Sequence, residues 1–244
     1  MQSGPYLVSA IVSAYNCERF IRGCLIDLES QTIADRTEII VVNSGSQQNE
    51  EAVVYGFQKK YDNIKYIKTD QRESVYAAWN RGILTATGKY ITNANTDDRH
   101  AAHAFERMTR VLDTRPDIAL VYANLWITET ENETWDNFTP VGKFVWKDFD
   151  PQTLADACYI GPQPMWRKNL HRKYGYFDVL FDSAGDWEFW LRLSQTEKFL
   201  HLNEELGLYL KSPASIEHRD LNLSLIEFKR IKRQYAGRKL RWTK

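Results

Sequence analysis

Apolar and polar positions along the first hundred residues switch repeatedly between two periods. Residues 7–13 form a short β-rich run. After Asn16, a good helix N-cap, Phe20, Ile21, Cys24, Leu25 and Leu28 recur at helical spacing. Residues 38–42 read as a second, fully buried strand, closed by the loop signal Asn43-Ser44-Gly45-Ser46. A helix over 49–60 and a strand over 64–68 follow. A third helix places Val75, Trp79, Ile83 and Ala86 on one face and stops at Gly88, and residues 90–94 give a fourth strand. This β-α-β-α-β-α-β rhythm predicts a parallel-rich sheet covered by helices on both faces. Ligands bind such sheets beyond the carboxyl ends of their strands, so the loops after the first, second and fourth strands are where chemistry is expected.

The second half is less regular. Residues 101–112 read as a helix closed by Arg115-Pro116, and residues 118–131 as one long strand or a bent pair. An aromatic stretch over 135–149 has no clear period, and 159–166, with two prolines, is extended. Trp187, Trp190, Leu191 and Ser194 mark another helix, and 199–211 two short strands. With no repeat, low-complexity tract or linker, the 244 residues read as one domain.

Composition narrows the function. Hydrophobic content of 43% and charged content of 26% are ordinary for a globular chain. A formal net charge of zero argues against a general nucleic-acid binder, which needs clustered positive charge. The charge is uneven, however: residues 221–244 hold eight Lys/Arg against Glu227, a net +7 that leaves −7 on the rest. Cys17, Cys24 and Cys158 have no metal-ligand spacing, and their odd count suits reduced thiols. No secretory leader and no apolar run of membrane-spanning length is visible. The expected location is therefore the cytosol or a cytosolic membrane face.

The sharpest chemical signal is Asn95-Thr96-Asp97-Asp98, directly after the fourth strand. Adjacent carboxylates at a strand end repel one another unless a cation or hydrogen-bond donors compensate. A hard divalent ion takes oxygen ligands and links them to substrate phosphates. The same acids could instead cap the helix that follows. His100 and His103, three apart, mimic a metal pair but read as a solvated helix face.

Several stretches together carry a resemblance. They are residues 8–16 (Val-Ser-Ala-Ile-Val-Ser-Ala-Tyr-Asn), residues 38–46, Asn80-Arg81-Gly82 with Ala86, Gly88 and Tyr90, and the acidic loop. Later come Tyr174-Gly175-Tyr176-Phe177-Asp178 and residues 184–193. In this order the chain resembles family 2 glycosyltransferases of the GT-A fold from about residue 7 to 219. The resemblance implies an α/β fold with a mixed, mostly parallel sheet and helices on both faces. Residues 1–100 would bind the nucleotide-sugar and 101–220 would build the acceptor and catalytic half of the same domain. Residues 221–244 would be a basic C-terminal helix or tail.

The resemblance also implies site residues. Ala14, Tyr15, Asn16 and Glu18 would hold the nucleoside, Tyr15 against the base, where stacking contributes about 1–3 kcal/mol. Asn43 and Ser44 stand where the family usually has a base-binding acid, which leaves the base open. Arg81 would face the diphosphate or cap its helix. Asp98, with Asp97, would hold Mn²⁺ or Mg²⁺, with Asp97 alternatively near the ribose and Asn95 replacing a common Asp. His218 would be a third ligand on a late loop, or structural. The family's Glu-Asp motif stands here as Gly185-Asp186. Asp186 would be the general base that deprotonates the acceptor hydroxyl, or a helix N-cap, and Glu188 is the reserve.

The expected activity is metal-dependent, inverting transfer of a sugar from a nucleoside diphosphate to a glycan or lipid-linked acceptor. A nucleotidyltransferase would also use a metal on an α/β sheet, but usually shows a Gly-rich, basic first loop, which residues 14–17 lack. A non-catalytic sugar- or nucleotide-binding module is the other alternative, favoured by Asn43, Asn95 and Gly185 where acids are expected. Some of the eight tryptophans would line the acceptor cleft and most the core. In the tail, Leu221, Leu225, Phe228 and Tyr235 read as a stripe docking on the domain, with Lys229, Arg230, Lys232 and Arg233 in water. Alternatively, the +7 segment draws the enzyme peripherally to an anionic membrane.

Overall fold

The computed structural model describes residues 6–212 and 221–235. The first half runs β1 (Val8–Ala14), α1 (Glu18–Glu29), β2 (Thr37–Ser44), α2 (Glu50–Gln58), β3 (Ile64–Thr69), α3 (Val75–Thr85) and β4 (Tyr90–Asn93). The chain continues through β5 (Arg99–His100), α4 (Ala104–Thr114), β6 (Ile118–Thr128), β7 (Gly142–Phe144), α5 (Pro151–Asp156) and β8 (Met165–Arg167). It ends with α6 (Leu170–Tyr174), α7 (Gly185–Ser194), β9 (Lys198–Leu210) and α8 (Leu221–Tyr235).

Among the described residues the strands form a single sheet in the order β3-β2-β1-β4-β8-β6-β9-β5, with β7 paired on β6. β1 through β4 are parallel, β8 runs antiparallel to β4 and β6, and β9 returns parallel to β6. The period-two alternation sends Val8, Ala10, Val12, Ala14, Ile39 and Val41 to one face, under α1, α2 and α4. Ile11, Ile40 and Val42 go to the other, under α3, α6, α7 and α8. Both faces are thus covered, as expected from the near-continuous apolar runs of β1 and β2.

Four expectations need correction. Residues 199–211 form one strand, β9, whose pairing with β6 shifts register around Asn124, so a bend replaces a break. Asn16 is not the N-cap of α1. Cys17 is, while Asn16 adopts a left-handed φ of 49°. His100 is buried on β5, its Nδ1 3.2 Å from the Asp27 carboxylate, and only His103 stays at the helix start.

The fourth correction concerns the tail. α8 buries Glu227, Ile231 and Tyr235 and packs Phe228 against Trp187, while Leu225 and Ile226 face solvent at 51% and 63% exposure. Of the expected stripe, Phe228 and Tyr235 dock on the domain, whereas Leu225 faces solvent and Glu227 and Ile231 take buried places. The side chain of Leu221, His218 and residues 236–244 lie outside the described residues.

Candidate active site

The loops at the carboxyl ends of β1, β2, β3 and β4 meet the start of α7 around one cleft of about 680 Å³, a volume ordinary for a small-molecule site. Ala14, Tyr15, Asn16, Ser44, Asn95, Asp97, Asp98 and Asp186 all line it. The acidic loop and Asp186, some ninety residues apart in sequence, therefore face the same space.

The β1 and β2 loops are tied together side chain to backbone. Asn16 accepts from the Gln47 N–H (2.9 Å), Ser46 Oγ accepts from the Asn16 N–H (3.0 Å), and buried Glu50 accepts from the Cys17 N–H (2.5 Å). Gly45 has φ +65°, and a Cβ there would stand 2.6 Å from the Gln71 backbone, so only glycine lets the loop after β3 approach so closely. That loop delivers Arg72 to the cleft, its guanidinium carbon 4.4 Å from the centre of the Tyr15 ring. Ser44 Oγ accepts from the Glu73 N–H (3.0 Å) and fixes the same segment.

The acidic loop holds two neighbouring carboxylates on the cleft. Asp98 is 3% exposed. Its Oδ1 accepts from the Leu210 N–H (3.2 Å) and its Oδ2 from the Asn95 amide (3.0 Å). Burial, and then the neighbouring Asp97 charge, push the Asp98 carboxyl well above the usual range, and burial pushes Asp97 up as well. Two oxygen-donor groups held close together against their own repulsion, on a cleft wall, fit a hard divalent ion with substrate oxygens completing its shell. Among the described residues no group of three or more His, Cys, Asp or Glu gathers around one point.

Asp186, lining the same cleft, sits in the first turn of α7, inside the helix rather than at its cap, which is Ala184. Asp186 Oδ1 accepts from the Trp187 N–H (2.8 Å) and from the Tyr76 hydroxyl (3.1 Å). Tyr76 is buried, and burial followed by the Asp186 charge holds its phenol far above the ordinary value, so it stays a donor. A Cβ on residue 185 would lie 2.8 Å from the Tyr76 ring, which explains why glycine precedes the carboxylate here.

Four expected site residues point elsewhere. Glu188 is buried away from the cleft, paired with Arg192 and accepting from the Tyr235 hydroxyl (2.8 Å), so it anchors α8 rather than serving as a reserve base. Arg81 pairs with Glu73 on the surface, leaving Arg19 and Arg72 as the cleft's guanidiniums. Asn43 is buried, donating to the Tyr66 hydroxyl (3.0 Å) and accepting from the Ser46 N–H (2.9 Å). Glu18 holds the Asn49 N–H (3.2 Å) and lines an open depression that shares Asn16 and Arg19 with the cleft. Of the tryptophans, Trp79, Trp146, Trp187 and Trp190 border the cleft, whereas Trp166 is core.

Fold and cleft together are those of an α/β protein with a ligand-sized site at the carboxyl ends of its strands. The model of the family described as "Glycosyl transferase family 2" matches residues 9–175, and the chain belongs to that family. An uncharacterized glycosyltransferase of Methanocaldococcus jannaschii is 24% identical over 231 residues, covering 94% of this chain and 78% of that protein. Chondroitin synthase of Pasteurella multocida is 26% identical over 81% of this chain, which spans only 20% of that enzyme's length. Among solved structures, S. aureus TarS in complex with UDP-GlcNAc aligns with a TM-score of 0.77 at 17% identity, over 93% of this chain and 65% of that one. A Pyrobaculum calidifontis mannosyltransferase in complex with GDP-Man and Mn²⁺ aligns at 0.65 with 15% identity, over 88% and 60%. These structural likenesses establish the GT-A fold.

Proposed function

We propose that the chain transfers a sugar from a nucleoside-diphosphate donor to an acceptor hydroxyl, with inversion, in one displacement. The observation that carries this reading is the shared cleft, which Asp97, Asp98 and Asp186 all line. Tyr15, backed by Arg72, offers a flat face to the base. Asp98 and Asp97 would hold Mn²⁺ or Mg²⁺, which would supply positive charge against the departing diphosphate. Asp186, oriented by hydrogen bonds from the Tyr76 hydroxyl and the Trp187 N–H, accepts the acceptor's proton as the glycosidic bond forms. Trp146, half-buried on the cleft, suits the apolar face of a glycan or a lipid-linked saccharide, whereas Trp187 and Trp190 are buried in the core. Mn²⁺ and nucleotide-sugars in the structural neighbours support the donor half of this reading.

The enzyme would work at the cytosolic face of a membrane. On α8 the outward Leu225 and Ile226 share their exposed side with Lys229 and Arg233, a pattern suited to an anionic interface.

The test is the product. With a nucleotide-sugar, Mn²⁺ and a saccharide acceptor, released nucleoside diphosphate supports transfer. Incubated instead with a nucleoside triphosphate and a sugar 1-phosphate, a chain that releases pyrophosphate would be a nucleotidyltransferase, and neither product would mark a binding module. Asp186→Asn is expected to keep donor binding and lower turnover by about 10²–10⁴-fold. Near-normal turnover in that variant would remove Asp186 as the base.

A further inference from the structure

Asp182, Ser183 and Ala184 are consecutive wall residues of the cleft, immediately before α7. Their three backbone N–H groups converge on a single side chain from a distant helix. The Asp182 N–H reaches Glu227 Oε1 at 2.7 Å, and the Ser183 and Ala184 N–H groups reach Oε2 at 3.0 and 2.9 Å. The Ser183 hydroxyl adds a fourth contact at 3.1 Å. Glu227 is 4% exposed and is the only acid on α8.

Successive N–H groups turned to one side make an anion-binding concavity, and here the protein fills it with its own carboxylate. A buried carboxylate is costly unless it is fully hydrogen-bonded. Four donors on two oxygens meet that requirement, and each bond is of the stronger, charge-assisted kind.

We propose that Glu227 is a positioning residue for the catalytic carboxylate. It fixes the backbone that enters α7, and thereby where Asp186, two residues past Ala184, presents its oxygen. The proposal rests on Asp186 being the base. Tyr76 restrains the Asp186 side chain from within the cleft, and Glu227 restrains its backbone from behind. Without the Glu227 carboxylate, three N–H groups point at a site with no anion, and the loop relaxes toward water. The donor end, built by Tyr15, Arg72 and Asp98 on other elements, contains none of these residues. The loss therefore falls on turnover and leaves donor affinity alone.

The experiment uses the full chain with Mn²⁺ and either UDP-GlcNAc or GDP-mannose, whichever is turned over, with water or a saccharide as acceptor. Glu227→Gln is expected to lower kcat by about ten- to a hundredfold, the scale of a misplacement near 1 Å, with the donor KM within about twofold. Glu227→Asp, which keeps the charge, recovers part of that loss. Asp186→Asn combined with Glu227→Gln is no slower than Asp186→Asn alone, because Glu227 acts through Asp186. Hydrogen exchange at the amides of Asp182, Ser183 and Ala184 quickens in Glu227→Gln whether or not turnover is measured.

A folded Glu227→Gln with wild-type kcat, a loss shared equally with donor affinity, an additive double variant, or unchanged exchange each overturns the proposal. If Glu227→Gln does not fold, Glu227→Asp is judged by the same four measurements. An inactive Asp186→Asn beside a wild-type-like Glu227→Gln sinks this proposal alone. An active Asp186→Asn sinks the base assignment first.

Discussion

Gly185 and Tyr76 illustrate how one position decides the chemistry of its neighbour. The tyrosine ring fills the space a side chain at 185 would need, and its hydroxyl lies 3.1 Å from Asp186. Tyr76→Phe removes one hydrogen bond to a reacting group. At about 0.5–1.5 kcal/mol, that is a drop in turnover of about two- to twelvefold with little change in stability. Gly185→Ala instead forces overlap in a packed site, and an expected destabilisation of about 1–3 kcal/mol is checked by urea unfolding. Equal stability of Gly185→Ala and wild type would mean the ring yields freely.

At this scale the acidic loop stood out after a strand, while Tyr15 and Asp186 were named through the family resemblance, and all four residues (with Asp97 and Asp98) line one cleft. The sequence misplaced Glu188 for a readable reason, because residues two apart on a helix lie about 200° apart and Asp186 takes the cleft side. Arg72, Tyr76 and Glu227 carried no local signal, since each matters only through a partner far away in sequence.

Among the elements, α6 carries the clearest pH dependence. Buried His171 accepts from the Trp166 indole N–H (2.9 Å), and its Nδ1 lies 2.9 Å from the Gly175 carbonyl, so the ring is neutral with the proton on Nδ1. Burial, more than any other influence, lowers its pKa to about 4, with the nearby Arg192 charge adding to it. The unfolded chain therefore takes up this proton first. Stability present above about pH 6.5 is lost as the pH falls toward about 4. Comparing wild type with His171→Gln in denaturant at pH 7, 5.5 and 4 isolates the effect: the wild type's advantage should shrink across that window. A constant difference would contradict it.

The elements of the first half were legible because strand and helix periods alternate cleanly. The second half was harder. β9 keeps one strand through shifts in register, and α8 turns Glu227 inward and Leu225 outward, inverting what hydrophobicity alone suggests. Tertiary partners, Asp182 to Ala184 above all, decided that inversion.

For the whole molecule, the outward face of α8 and the basic segment it begins bear on where the enzyme works. Co-sedimentation with anionic vesicles at low salt is expected, fading at high salt as charges are screened beyond about 10 Å at 0.1 M and absent with neutral lipid. Leu225→Ser with Ile226→Ser should weaken it without unfolding the chain, as both side chains are already in water. Binding that ignores lipid charge would contradict this placement.

The central claim is a metal-assisted nucleotide site at the acidic loop, and Asp98→Asn tests it most directly. Thermal unfolding is followed with nucleoside diphosphates, with and without Mn²⁺. A ligand at a hundred times its Kd adds about 2.7 kcal/mol, roughly 5–10 °C for a chain of this size. Wild type is expected to show that shift only with Mn²⁺ present. Asp98→Asn should stay folded and lose the Mn²⁺-dependent shift. An undiminished Mn²⁺-dependent shift in Asp98→Asn would contradict the account.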